Sequence, residues 1–114
     1  MKIAFWMLLA LGPSVAFAQE IDYRSGLSGQ EVAYSEMNVR QIASKLYDPN
    51  SALFKDVFVS RKAGPPVVCG QVNAKNRFGG YIGYQRFVAA GDINVVESEM
   101  AGGHMSQLWS KVCE

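Results

Sequence analysis

The sequence has one histidine, two cysteines and no apolar run longer than nine residues. Each shortage removes a class of protein. His104 stands alone, so no His-x-x-x-His pair exists, and no Ser/His/Asp order surrounds it. Cys69 and Cys113 have neither a Cys-x-x-Cys partner nor metal-ligand spacing. An acidic calcium loop is also missing. Gly79-Gly80-Tyr81-Ile82-Gly83 is glycine-rich, but it lacks the Gly-Lys-Ser/Thr ending of a phosphate loop and leads into a predicted strand. The expected inventory of cofactors, metals and catalytic residues is therefore none.

The longest apolar run, Ile3 to Leu11, is about half the length that spans a bilayer. It follows Lys2, is broken by Gly12-Pro13, and precedes the small-x-small triplet Ala16-Phe17-Ala18. That order predicts a cleaved secretory signal over residues 1–18, with no stable membrane insertion after cleavage. Removing it takes Lys2 away and leaves 96 residues with ten basic and ten acidic side chains. A net charge of zero argues against a dedicated nucleic-acid binder. The charge is uneven all the same. Lys55, Arg61, Lys62, Lys75, Arg77 and Arg86 share a segment whose one acid is Asp56. Such a segment reads as a charge-protected sheet edge or as a modest basic face for an anionic partner.

An even cysteine count in an exported chain predicts one disulfide, Cys69–Cys113. Closing a loop of about 45 residues stabilises by roughly 3 to 4 kcal/mol in the chain-entropy picture. That is a large share for a domain this small.

Residues 19–28 are polar and without clear period, and are read as a flexible arm before a single α+β domain over 29–114. Ser28 and Glu31 have capping-box spacing. Val39, Ile42, Ala43, Leu46 and Tyr47 lie on one face of an amphipathic helix. Asp48-Pro49 ends it and starts a short helical turn that carries Phe54 toward the core. Four strands are predicted: Val57–Ser60, Val67–Val72, Tyr81–Ala90 and Ile93–Val96. Gly91-Asp92 joins the last two as a hairpin. Ser106 to Val112 predicts a short closing helix. The expected fold is α+β: the N-terminal amphipathic helix packed on an antiparallel sheet of about four strands, and a short C-terminal helix tied by the disulfide.

Several of these residues form a longer pattern: Asp48-Pro49-x-Ser51-Ala52-x-Phe54, then Cys69-Gly70-x-Val72-Asn73-Ala74-Lys75-Asn76-x-x-Gly79-Gly80-Tyr81-x-Gly83, then Trp109-x-x-x-Cys113. It resembles a family of small uncharacterised exported bacterial proteins. The resemblance runs from about Val39 to Cys113. It implies a periplasmic or secreted domain with a paired cysteine, and it brings no activity with it.

The residues singled out for binding are Asn73, Lys75, Asn76, Arg77 and Tyr81. The asparagines suit a turn, because they tolerate left-handed backbone and bond their own main chain. Lys75 and Arg77 on that turn suit a carboxylate or sugar hydroxyls. Phe78, Tyr81, Tyr84 and Phe87 are read first as packing. The functional expectation is a non-enzymatic binding or accessory protein of the bacterial envelope with a protein or glycan partner. The alternatives are an inhibitor or immunity-type protein that blocks an extracellular enzyme, and a small hydrolase using His104 or Glu97 and Glu99.

Overall fold

The computed structural model describes residues 20–114. The signal peptide assigned to residues 1–18 lies outside them. A five-stranded mixed sheet forms the centre: β1 (Glu20–Tyr23), β2 (Leu53–Ser60), β3 (Val67–Asn73), β4 (Gln85–Ala90) and β5 (Ile93–Val96), side by side in that order. Helix α1 (Gly29–Ser44) connects β1 to β2, and helix α2 (His104–Val112) ends the chain. Three neighbouring pairs are antiparallel, and β1 runs parallel to β2.

Strand β1 corrects the reading of residues 19–28 as a flexible arm. Glu20 and Asp22 are exposed, whereas Ile21 and Tyr23 are half-buried and pack on the core. That alternation of period two makes four residues an edge strand. The sheet is therefore mixed, with five strands rather than an antiparallel four. Arg24 extends the contact, donating its N–H to the Val57 carbonyl at 2.8 Å.

Alternation also explains the two layers that cover the sheet. Val57, Val68, Val72, Phe87 and Ala89 face α1, where Val39, Ile42 and Ala43 meet them. Phe58, Val67, Cys69 and Val88 face the other way, toward Met105, Leu108, Trp109 and Cys113 of the C-terminal segment. On the α1 side, Gly70 leaves room for Phe87: a Cβ there would lie 3.0 Å from its ring. Phe87 in turn meets Phe54 edge to face at 5.6 Å. Phe54 belongs to β2, not to the turn before it; that turn is a single 3-10 turn, Pro49–Ser51.

Helix α1 begins with a reciprocal box. Ser28 Oγ accepts from the Glu31 N–H at 3.1 Å, and Glu31 Oε1 accepts from the Ser28 N–H at 2.9 Å. The helix stops at Ser44, so Tyr47 falls beyond it and is 71% exposed. Buried Asn38 bolts α1 to the β4–β5 hairpin, accepting from the Gly91 N–H at 3.0 Å.

The C-terminus is held by a disulfide and an ion network. Cys69 is bonded to Cys113. Arg24 makes a two-pronged pair with Asp56 at 2.9 and 2.8 Å, and its guanidinium lies 3.7 Å from the centre of the Phe58 ring. It also reaches Glu114 at 3.2 Å, and Glu114 accepts from the Trp109 indole at 3.1 Å. Asp56 sits at a bulge in β2 with φ of 52°, a left-handed conformation that Asp tolerates better than most residues. The hydrogen bond from Arg24 holds its carboxyl below the ordinary Asp range.

Two measurements check this account. Cys69→Ala with Cys113→Ala is expected to lower unfolding free energy by about 4 kcal/mol in urea titrations; a loss below about 1 kcal/mol would mean the bond adds little. Asp56→Asn keeps the backbone conformation and removes the charge. Because the folded-state pKa is depressed, the stabilisation is present above about pH 4 and fades as pH falls through the folded value. The stability gap between the native protein and Asp56→Asn is expected to close in acid; a gap independent of pH contradicts the pairing.

Candidate functional site

The segment between β3 and β4, residues 74–84, is the longest connection between adjacent strands of the antiparallel part. Its main chain is closed on itself. Lys75 and Tyr81 form an isolated antiparallel bridge. Beyond it the Asn76 N–H donates to the Gly80 carbonyl at 2.9 Å, and the Gly79 N–H to the Asn76 carbonyl at 3.0 Å. Arg77 and Phe78 are therefore the two corner residues of a tight turn. Gly79, at φ of 83°, takes the left-handed position after them.

The asparagine side chains build this turn. Asn76 Oδ1 accepts from the N–H groups of Phe78 at 2.9 Å and Gly80 at 3.3 Å. Asn73 Oδ1 accepts from the Gly83 N–H at 2.9 Å. Ser51, in the 3-10 turn before β2, fastens the base: Ser51 Oγ accepts from the Lys75 N–H at 2.8 Å and donates to the Asp48 carbonyl at 2.8 Å, while the Tyr81 hydroxyl donates to the Ser51 carbonyl at 2.9 Å.

The five residues expected to bind thus take different parts. Asn73 and Asn76 spend their oxygens on the loop, and Tyr81 spends its hydroxyl on Ser51. Lys75 is half-buried, with its ammonium 5.7 Å from the Tyr81 ring centre. Arg77 points into solvent at the tip. Lys75 and Asn76 also line a groove of about 270 Å³ that runs to Tyr47, Ile82 and Glu99 over a floor including Val72 and Val96.

The aromatic residues correct the packing interpretation. Phe87 is fully buried, whereas Phe78 is 86% exposed and Tyr81 and Tyr84 are also exposed. The predicted strand Tyr81–Ala90 begins only at Gln85, because Gly83 at φ of 108° takes the chain out of strand geometry. Phe78 and Ile82 are the surface residues that sequence reasoning missed. The available signal was the pair Gly79-Gly80 beside Phe78, which marks a turn rather than a core strand. The brace that Ser51 puts on this loop had no local signal, since Lys75 and Tyr81 lie 24 and 30 positions away.

The acid and histidine candidates do not converge. Glu97 is clasped by Arg86, with contacts of 3.1, 3.2 and 2.7 Å, and those hydrogen bonds hold its carboxyl below the ordinary range. Arg86 reaches on to Ser106 of α2. Glu99 pairs with Lys45, the C-cap of α1, at the outer edge of β5. His104 is an exposed residue at the start of α2. Among the described residues no cluster of His, Cys, Asp or Glu could hold a metal ion, and no helix is long and apolar enough to cross a membrane. No family model, curated protein or solved structure matches the chain.

Asn76→Ala removes one acceptor shared by two backbone donors. The expected cost is about 1 kcal/mol, with faster amide exchange at Phe78 and Gly80. Unchanged exchange at both amides would show that the turn holds without the side chain.

Proposed function

We propose that this chain is an exported binding or accessory protein of the bacterial envelope, periplasmic or secreted, which works by presenting the Arg77-Phe78 turn and not by catalysis. The observation behind this reading is Phe78. A large apolar side chain stands almost wholly in water on a turn whose own hydrogen bonds are internally satisfied. Burying it in a partner gains apolar contact with little ordering cost, because the loop is already held in one shape. Arg and aromatic residues are also the types that dominate binding energy at protein interfaces.

Charge supports a partner of stated character. Lys55, Lys75 and Arg77 surround this end of the sheet, and none of the ion pairs among the described residues engages them. An apolar pocket with an acidic rim complements that surface. The disulfide agrees with an oxidising compartment outside the cytoplasm. An inhibitor or immunity-type role is the second reading. It is favoured by the placement of both anchor residues at the tip of a braced turn, a form that enters a cleft.

Crosslinking capture from a native envelope fraction tests the proposal, with Lys111→Ala as the control surface change. Phe78→Ala and Arg77→Ala are each expected to weaken capture by about tenfold or more, at an unchanged melting temperature. Undiminished capture by both variants overturns the assignment of this turn. If the captured partner is an enzyme, loss of its activity on adding the native protein, but not Phe78→Ala, selects the inhibitor reading.

A further inference from the structure

We propose that the groove between the end of α1, the loop after β3 and the 3-10 turn after β5 binds a small organic monoanion, one carboxylate on a hydrocarbon body. Neither Arg77 nor Phe78 lines this groove, so the inference stands apart from the turn described above. The occupant follows from the floor of the groove, from the sense of its hydrogen-bonding groups, from its charge and from its size.

The floor is apolar. Val72 and Val96 are buried beneath the groove, and exposed Tyr47 and Ile82 stand at its sides. Their apolar surface meets water until a hydrocarbon body covers it.

The polar groups left for a ligand are mostly donors. Two amide side chains line the groove, and the oxygen of each is already engaged by the main chain. Asn76 Oδ1 accepts from the Phe78 and Gly80 N–H groups, and Gln85 Oε1 accepts from the Ser98 N–H at 2.7 Å. What Asn76 and Gln85 still offer is an NH2 group, which only donates. Lys75 adds an ammonium whose partner is the face of the Tyr81 ring. The Ser98 hydroxyl serves in either sense. A ligand that accepts hydrogen bonds matches this set.

Three charged side chains line the groove, and two of them cancel. Lys45 donates to Glu99 Oε1 at 2.9 Å, and the same oxygen accepts from the Val96 N–H at 3.3 Å. Lys75 is the unbalanced charge, so one negative charge on the ligand completes the site and a phosphate dianion exceeds it. The volume of about 270 Å³ lies below the usual range for drug-sized ligands. An extended peptide would anchor its main chain on β5, where Lys45 holds the Asn94 carbonyl at 2.6 Å and Glu99 holds the Val96 N–H. The size and the occupied edge together select a free small acid.

Titration of the oxidised, isotope-labelled protein tests this, followed by amide resonances. Octanoate and hydrocinnamate are each expected to saturate with Kd of about 1 mM or tighter, moving the amides of Lys75, Ile82 and Val96. Acetate, which lacks the apolar body, and hydrocinnamamide, which lacks the charge, are each expected to bind about tenfold more weakly or worse. Lys75→Met keeps the aliphatic stem, removes the charge, and is expected to weaken octanoate by about tenfold. The inference is overturned if neither acid saturates by about 20 mM, if hydrocinnamamide binds as tightly as hydrocinnamate, or if folded Lys75→Met binds octanoate as the native protein does. Should Lys75→Met not fold, the comparison of hydrocinnamate with its amide on the native protein decides the part played by charge.

Discussion

Strand β3 has protein on both of its faces, and the rest of the molecule is arranged to supply the two covers. On one face a sixteen-residue helix with a complete N-terminal box does so. On the other the cover is a helix of nine residues, too short to be stable alone. The Cys69–Cys113 bond joins that helix to the strand it must cover, from a completely buried position in β3. Arg24, Glu114 and Trp109 finish the attachment from the rim, and Arg86 holds the opposite side through Glu97 and Ser106. The second apolar layer owes its shape to these ties at least as much as to burial.

The sheet is therefore finished at one end and open at the other. Where the helices lie, apolar side chains from both faces are covered. Past Ser51 and Tyr81 the chain extends into a loop whose oxygens and amides serve one another, so its outward chemistry is reduced to side chains without main-chain duties. Arg77, Phe78 and Ile82 are among these residues. At the tip, rigidity and exposure go together: Asn76 turns inward to brace the loop while Arg77 and Phe78 beside it stand outward.

Much of this is legible in the amino-acid sequence. The cysteine count identified the staple, and β-branched runs marked the strands. What escaped has a common physical origin. Four residues of β1 carry too few alternations to stand out from a polar arm, and only the edge of β2 makes them a strand. Phe78, Tyr81 and Tyr84 have the composition of packing residues; Phe78 is exposed because it sits at the corner of the turn closed at Gly79, and Tyr81 and Tyr84 flank Gly83, whose left-handed backbone interrupts strand geometry before Gln85. Asp56 gives no local hint that it occupies a bulge, because its reason for being there is Arg24, 32 positions earlier. Ser51 and Lys45 likewise act through partners far along the chain, where neither period nor composition reaches.

The order of the strands in the sheet is also their order in the chain. From β2 onward each strand finds its neighbour after a connection of a few residues to about a dozen, so four strands can assemble from contacts that are local in sequence, with modest loop-closure entropy. Strand β1, the cysteine pair, and α1, which Asn38 ties to Gly91, 53 positions on, depend on distant segments. The contacts thus divide into a meander that is local in sequence and a second set, β1 beside β2 and Cys69 with Cys113, that joins segments far apart in the chain.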